Sequence, residues 1–236
     1  MGLRAIIFDV DGTLSETEEA HRLAFNDTFA EFGLDWHWDR ELYRELLRTT
    51  GGKERIAAYV RDHLGGVPER DDIARIHLRK TERYGALIEG GAAGLRPGIR
   101  ELIEDARRQG CRLAIATTTN RPNVDRLIAA TMGVAAEDLF EVIAAGDEVA
   151  QKKPAPDVFN LALQGLALAP GDCVAMEDSR NGLLSAKGAG LACVVSPSVY
   201  SGGVPFDEAD AVIDCFSRVA SLAALNETLN RTAGGG

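Results

Sequence analysis

The feature that most constrains this chain is a break in its periodicity. An apolar run at residues 3–8 stops abruptly at Asp9-Val10-Asp11-Gly12-Thr13, and helical texture then takes over until about residue 88. Four to eight apolar residues closed by Asp and Gly read as a buried parallel strand entering a loop. In the helical block, Ala20, Leu23, Ala24 and Phe32 fit helical spacing, as do Ile56, Tyr59, Val60 and His63, and then Ile73, Ile76 and Lys80. That spacing predicts about four helices and no strand. The Gly-rich stretch 90–94 with Pro97-Gly98 is a linker by composition. Beyond it, helices expected over 99–109, 123–132, 157–166 and 181–189 alternate with strands expected over 112–116, 142–145, 173–176, 192–195 and 211–213. A final helix comes last. Such alternation implies a parallel sheet with helices on both faces. The first strand is cut off from its helical partners by the all-helical block, and an insertion explains this most economically. Residues 1–15 and 90–229 are therefore expected to form an α/β core, 16–89 a helical module, and 230–236 a disordered tail.

Composition matters here mainly for what it excludes. A net charge of −10 leaves no excess of Lys and Arg to neutralise a nucleic-acid backbone, so no nucleic-acid partner is expected. A small phosphorylated substrate needs only a few local cations. The apolar runs are too short to cross a bilayer, and no positive segment precedes an apolar one as in a secretory signal. Cys111, Cys173, Cys193 and Cys215 show no C-x-x-C pairing and no neighbouring His. They read as reduced residues of a cytoplasmic protein without a membrane partner, and a monomer is expected.

The chemistry is carried by the residues at the end of each strand, because ligands of open α/β sheets bind outside the carboxyl ends. Asp9 and Asp11 come after the first strand, and Thr117, Thr118, Thr119 and Asn120 after the next. Lys153 comes after the third, and Glu177, Asp178 and Ser179 after the fourth. Four carboxylates (Asp9, Asp11, Glu177, Asp178) crowded together repel unless a cation sits among them, and oxygen-only ligands point to a hard ion, Mg²⁺ first. One carboxylate of the Asp9/Asp11 pair can attack phosphorus while the other handles the leaving group's proton. Mg²⁺, Lys153, the Thr117 hydroxyl and loop amides can offset charge on the phosphoryl oxygens. Ser179 suits the cap of the next helix.

These residues also resemble the four motifs of the haloacid-dehalogenase-like phosphatases. Asp9-Val10-Asp11-Gly12-Thr13 looks like the first, Thr117 the second, Lys153-Pro154 the third and Glu177-Asp178 the fourth, in family order. The helical block sits where that family carries a C1-type cap. The resemblance implies a Rossmann-like core, Asp9 as nucleophile and Asp11 as acid and then base. It also implies magnesium held by Asp9, the Asp11 main-chain carbonyl and Asp178, with Glu177 close by. Within the family the chain is similar to the CbbY type, on Glu16-Thr17-Glu18, Thr50-Gly51-Gly52-Lys53-Glu54-Arg55, the stretch 77–83 and the stretch 117–123. That likeness implies contacts to the sugar and its second phosphate from Glu18, Gly51, Gly52, Lys53, Glu54, Arg55, His77 and Lys80, with Thr118, Thr119, Asn120 and Arg121 adding donors from the core. It implies xylulose 1,5-bisphosphate as substrate and xylulose 5-phosphate as product, a step that removes an inhibitor of Rubisco in the Calvin cycle. A phosphomutase like β-phosphoglucomutase, or a phosphatase for another small ester such as phosphoglycolate, is the alternative. The stretch 51–55 reads equally as a turn opening a helix.

Overall fold

The first apolar run forms β1 (Ala5–Phe8), buried at every residue, and its place in the sheet decides the topology. The structure is a computed structural model that describes residues 2–66 and 69–233. It divides into two compact units, Met1–Glu16 with Gly94–Gly236, and Thr17–Ala93.

In the first unit β1 lies between β2 (Arg112–Ala116) and β4 (Cys173–Glu177), with Phe8 opposite both Ile115 and Met176. β3 (Val142–Ala144) flanks β2, while β5 (Ala192–Val195) and β6 (Ala211–Val212) extend the other side. All pairings between these six strands are parallel, in the order β3-β2-β1-β4-β5-β6. The chain therefore runs outward from β1 through β3, then restarts at β4 on the opposite side. That reversal opens a crevice at the carboxyl ends of β1 and β4, where open α/β sheets bind ligands.

The strands read as near-continuous apolar runs because both faces are covered. On one face Ala5, Ile7, Ala114, Ala116 and Ala175 meet Phe159, Ala162 and Leu166 of α7 (Asp157–Leu166) and Leu183 and Ala186 of α8 (Arg180–Gly188). α5 (Ile99–Arg108) buries Ile99, Leu102, Ile103 and Ala106, at helical spacing, and packs against β2 and α9 (Leu222–Ala233). α6 (Arg121–Met132) starts two residues before the expected position because the Asn120 side chain accepts from Asn123 N at 3.0 Å and caps it. Glu177 belongs to β4 rather than to the loop, since it stays in register with Val195. α9 continues through Ala233, into the tail expected from Asn230, with Arg231 paired to Glu227 one turn earlier. The remainder of that tail, 234–236, lies outside the described residues. Cys111, Cys173 and Cys193 are buried and Cys215 is half-buried, all as free thiols. No described helix is long and apolar enough to cross a membrane.

The second unit holds α1 (Glu18–Glu31), α2 (Arg40–Leu46), α3 (Gly52–Asp62) and α4 (Arg70–Glu89) around its own aromatic core. Trp38 is fully buried, with its ring 4.6 Å from Phe25, 4.8 Å from Phe29 and 5.4 Å from Tyr59. The buried stripe of α1 is Ala20, His21, Ala24, Phe25, Thr28 and Phe29, whereas Leu23, expected inside, is exposed. Two polar residues share that stripe because they find partners there. Thr28 donates to Ala24 O at 2.7 Å, and His21 stacks on Tyr84 of α4 with centroids 3.8 Å apart.

Candidate active site

Because β1, β2 and β4 are in register, the residues just beyond them reach one rim. Asp9 is buried, and its Oδ1 accepts from Lys153 Nζ at 2.7 Å. The same ammonium donates to Glu177 Oε1 at 2.6 Å and lies 4.8 Å from the centre of the Phe159 ring. Glu177 is fully buried at the end of β4. Its Oε2 accepts from Asp178 N at 3.1 Å, Ser179 N at 3.4 Å and the Ser179 hydroxyl at 3.3 Å. Ser179 Oγ also accepts from Gly182 N at 3.1 Å, so one hydroxyl both caps α8 and holds Glu177.

The carboxylates of Asp9, Glu177 and Asp178 each place one oxygen within 4.8 Å of the others. Three buried carboxylates with one ammonium leave the group net negative, which is costly in an apolar surrounding. An all-oxygen donor set of this kind fits a hard divalent cation. Burial pushes the Asp9 carboxyl up to about 7; Lys153 opposes the shift, and the charges of Glu177 and Asp11 add to it. For Lys153, burial alone would lower the ammonium, but Asp9 and Glu177 outweigh it and hold the group charged.

Two glycines allow this packing. Gly12 has φ +89°, and a Cβ there would lie 2.3 Å from Asp178 Oδ2. A Cβ on Gly182 would lie 2.0 Å from the Glu177 carboxylate. Asp11 comes after Asp9 in the same loop and is half-buried. Thr117, buried after β2, donates its N–H to Ala144 O at 3.1 Å, while its hydroxyl accepts from Thr119 N at 3.2 Å. Thr118 and Thr119 are half-buried, with Thr119 Oγ1 accepting from Asn123 Nδ2 at 3.2 Å. Asn120 is the α6 cap. The Arg121 guanidinium is held by Asp125 at 2.8 Å and Glu137 at 2.9 Å.

The remaining candidates belong to the helical unit. Gly51, with φ +95°, precedes α3, and the Gly52 that opens this helix leaves room for His77, whose Nε2 would be 2.5 Å from a Cβ. Lys53 and Glu54 are exposed. Arg55 is buried instead, donating to Tyr43 Oη at 3.1 Å and Leu46 O at 3.3 Å, while Tyr43 Oη donates to Glu18 at 2.7 Å. Lys80 is buried with Nζ 2.6 Å from His21 Nδ1 and 4.6 Å from the centre of the Phe25 ring.

Three residues that sequence reasoning passed over stand beside this cluster: Arg96, Ser201 and Gly182. The glycine inside a helical pattern was a readable signal. Arg96 and Ser201 sit in loops and give none.

Residues 3–190 match the family described as haloacid dehalogenase-like hydrolase. Protein CbbY from Rhodobacter capsulatus is 60% identical over 223 residues, 94% of this chain and 98% of that protein. The crystal structure of CbbY from Rhodobacter sphaeroides in complex with phosphate is 57% identical with a TM-score of 0.91, covering 95% of this chain and 99% of that one. A mutant of the same protein in complex with xylulose-(1,5)bisphosphate is 56% identical with a TM-score of 0.91, covering 94% and 99%. The chain belongs to the haloacid dehalogenase-like hydrolases, as an enzyme similar to the CbbY proteins.

Proposed function

We propose that this enzyme is a Mg²⁺-dependent phosphatase that removes one phosphate from a sugar bisphosphate, xylulose 1,5-bisphosphate, to leave xylulose 5-phosphate. The observation that carries the reading is the buried group of Asp9, Lys153, Glu177 and Asp178 at the sheet's crevice, in a chain so close to a protein solved with that sugar. Asp9 attacks phosphorus, forming the Asp9–phosphorus bond as the bond to the sugar oxygen breaks. Lys153 opposes the upward shift of the Asp9 carboxyl and so favours its ionised form and, with the Thr117 hydroxyl, orients the phosphoryl oxygens. Asp11 gives its proton to the departing sugar oxygen. It then takes one from the water that attacks the phosphoryl group, and Asp9 is returned. Mg²⁺, when held by Asp9, Asp178 and the Asp11 main-chain carbonyl with Glu177 beside them, offsets the negative charge of the group transferred.

Recognition of the rest of the sugar is assigned to Glu18, Gly51, Gly52, Lys53, Glu54, His77 and Lys80, and to Thr118, Thr119, Asn120 and Arg121. Arg55, bonded to Tyr43 and through it linked to Glu18, belongs to the same set and faces the phosphate that is not cleaved.

The test is phosphate release from xylulose 1,5-bisphosphate with Mg²⁺, with the product identified by phosphorus NMR. One phosphate released per sugar is expected, with a 5-phosphate remaining, and a folded Asp9→Asn variant should release none. Isomer formation without release would make the enzyme a phosphomutase. A monophosphate turned over faster than any bisphosphate would sink the substrate assignment.

A further inference from the structure

The side chain that ties together the loops of the sheet unit carries none of the chemistry. Arg96 is 9% exposed, in the connection that leads to α5. Its Nη1 donates to Gly12 O at 2.6 Å and Ser196 O at 2.7 Å, and its Nη2 to Ser196 Oγ at 2.8 Å and Pro197 O at 3.2 Å. Its Nε is 3.5 Å from Glu16, and the guanidinium lies 4.7 Å from the centre of the Phe216 ring. A planar fork can meet this set of acceptors at once, and a lysine's single ammonium cannot.

The two loops so joined are those that hold Asp178. Gly12 belongs to the loop after β1, and Asp178 Oδ2 rests against it too closely for a Cβ. Ser196 and Pro197 begin the loop after β5. Within that loop Ser201 Oγ donates to Asp178 O at 2.6 Å, with Asp178 Oδ2 at 3.1 Å, so it fixes the backbone of Asp178 first and its carboxylate second. Ser198 supports Ser201, its N–H donating to Ser201 Oγ at 2.8 Å and the two hydroxyls lying 2.8 Å apart.

We infer that Arg96 is a positioning residue for the cation site: by fastening the Gly12 carbonyl to residues 196–197, it keeps Ser201 and Gly12 against Asp178 and so fixes that carboxylate's orientation. The inference rests on the reading of Asp178 as a cation ligand. Groups that hydrogen-bond a metal's ligand typically change its affinity by about 10- to 100-fold. Loosening the clamp is expected to act there, while Asp9, Lys153 and Glu177 keep their mutual contacts.

The experiment is calorimetric titration of Mg²⁺ alone into the full-length, metal-free protein. It compares wild type with Arg96→Met, Arg96→Lys, Ser201→Ala, Asp178→Ala and the Arg96→Met/Ser201→Ala double variant. Melting temperatures are recorded alongside. Arg96→Met and Ser201→Ala should each raise the Mg²⁺ Kd about tenfold or more. The double variant should bind about as weakly as the weaker single, because both act on one loop. Saturating Mg²⁺ should restore much of their kcat. Wild-type affinity in folded Arg96→Met, or fully additive losses in the double variant, overturns the inference. Should Arg96→Met not fold, Arg96→Lys and Ser201→Ala decide, and wild-type affinity in both overturns it. Asp178→Ala separates the two readings. Unchanged Mg²⁺ binding there removes the cation reading itself, and this inference with it. Loss of binding there, with wild-type affinity in the Arg96 and Ser201 variants, removes this inference alone.

Discussion

Asp9 sits at the balance point of the site, buried, bonded to Lys153 and facing the charges of Glu177 and Asp11. Its carboxyl is pushed up to about 7, so a cation held by Asp9, as in the proposed function, would displace a proton below that pH. The direction of the shift sets the sign. A folded-state value above the ordinary 3.8 favours the metal-free fold at low pH, and that contribution is lost as pH rises through about 7. On that reading Mg²⁺ affinity is expected to rise with pH, by about tenfold per unit below 7, and to level off above it. Calorimetry at about pH 6 in two buffers of different ionisation enthalpy should find close to one proton released per Mg²⁺ bound. A Kd flat from about pH 5.5 to 8.5 would contradict this. Asp9, Glu177 and Asp178 were legible in the sequence because each lies at or just beyond a strand end, and strand ends can be read from apolar runs. Lys153 comes later in the loop after β3 and was legible from Lys153-Pro154. Arg96 and Ser201 were not, because their partners are loop carbonyls and a carboxylate brought near by the topology alone. The burial of Arg55 is hidden for a related reason. A charged residue at a helix start reads as exposed, and the Tyr43 that buries it lies on a different helix.

At the scale of an element, α8 provides two glycines with opposite expectations. Intrinsic propensity favours Ala over Gly by about 1 kcal/mol inside a helix. At Gly188 the added Cβ would meet Pro156 no closer than 3.4 Å, so Gly188→Ala should be neutral or stabilising by up to about 1 kcal/mol. At Gly182 the Cβ would fall 2.0 Å from Glu177, so Gly182→Ala should destabilise by about 2 kcal/mol or more despite the better propensity. Urea denaturation of the two variants checks both. Equal stability would mean that Glu177 can move away from α8 without cost. The sheet elements were easy to read, β2, β5 and α7 falling at their expected positions, because apolar runs and helical stripes alternate without interruption. Boundaries shifted where a side chain decides them, as Asn120 does at α6. The stripe of α1 was misread because His21 and Thr28 are buried by stacking and by a backbone bond, neither of which hydropathy registers.

The whole molecule consists of two units with separate cores, and they differ in how far along the chain their contacts reach. The helical unit closes entirely within Thr17–Ala93. β1, in contrast, finds its partners only at Arg112–Ala116 on one side and Cys173–Glu177 on the other. Local contacts form before distant ones because loop closure costs entropy. In refolding tracked by pulsed hydrogen exchange, amides of α1 and α4 are therefore expected to gain protection before those of β1, and simultaneous protection would show one cooperative unit. The same placement has a meaning during synthesis. β1 is made before either of its neighbours, and the second of them is complete only after Glu177 has been added. At about 5–20 residues per second that is a wait on the order of ten seconds or more. Through that interval the strand at the centre of the finished sheet is an apolar segment with an open edge, and whatever shields nascent chains has to shield it until β4 is made.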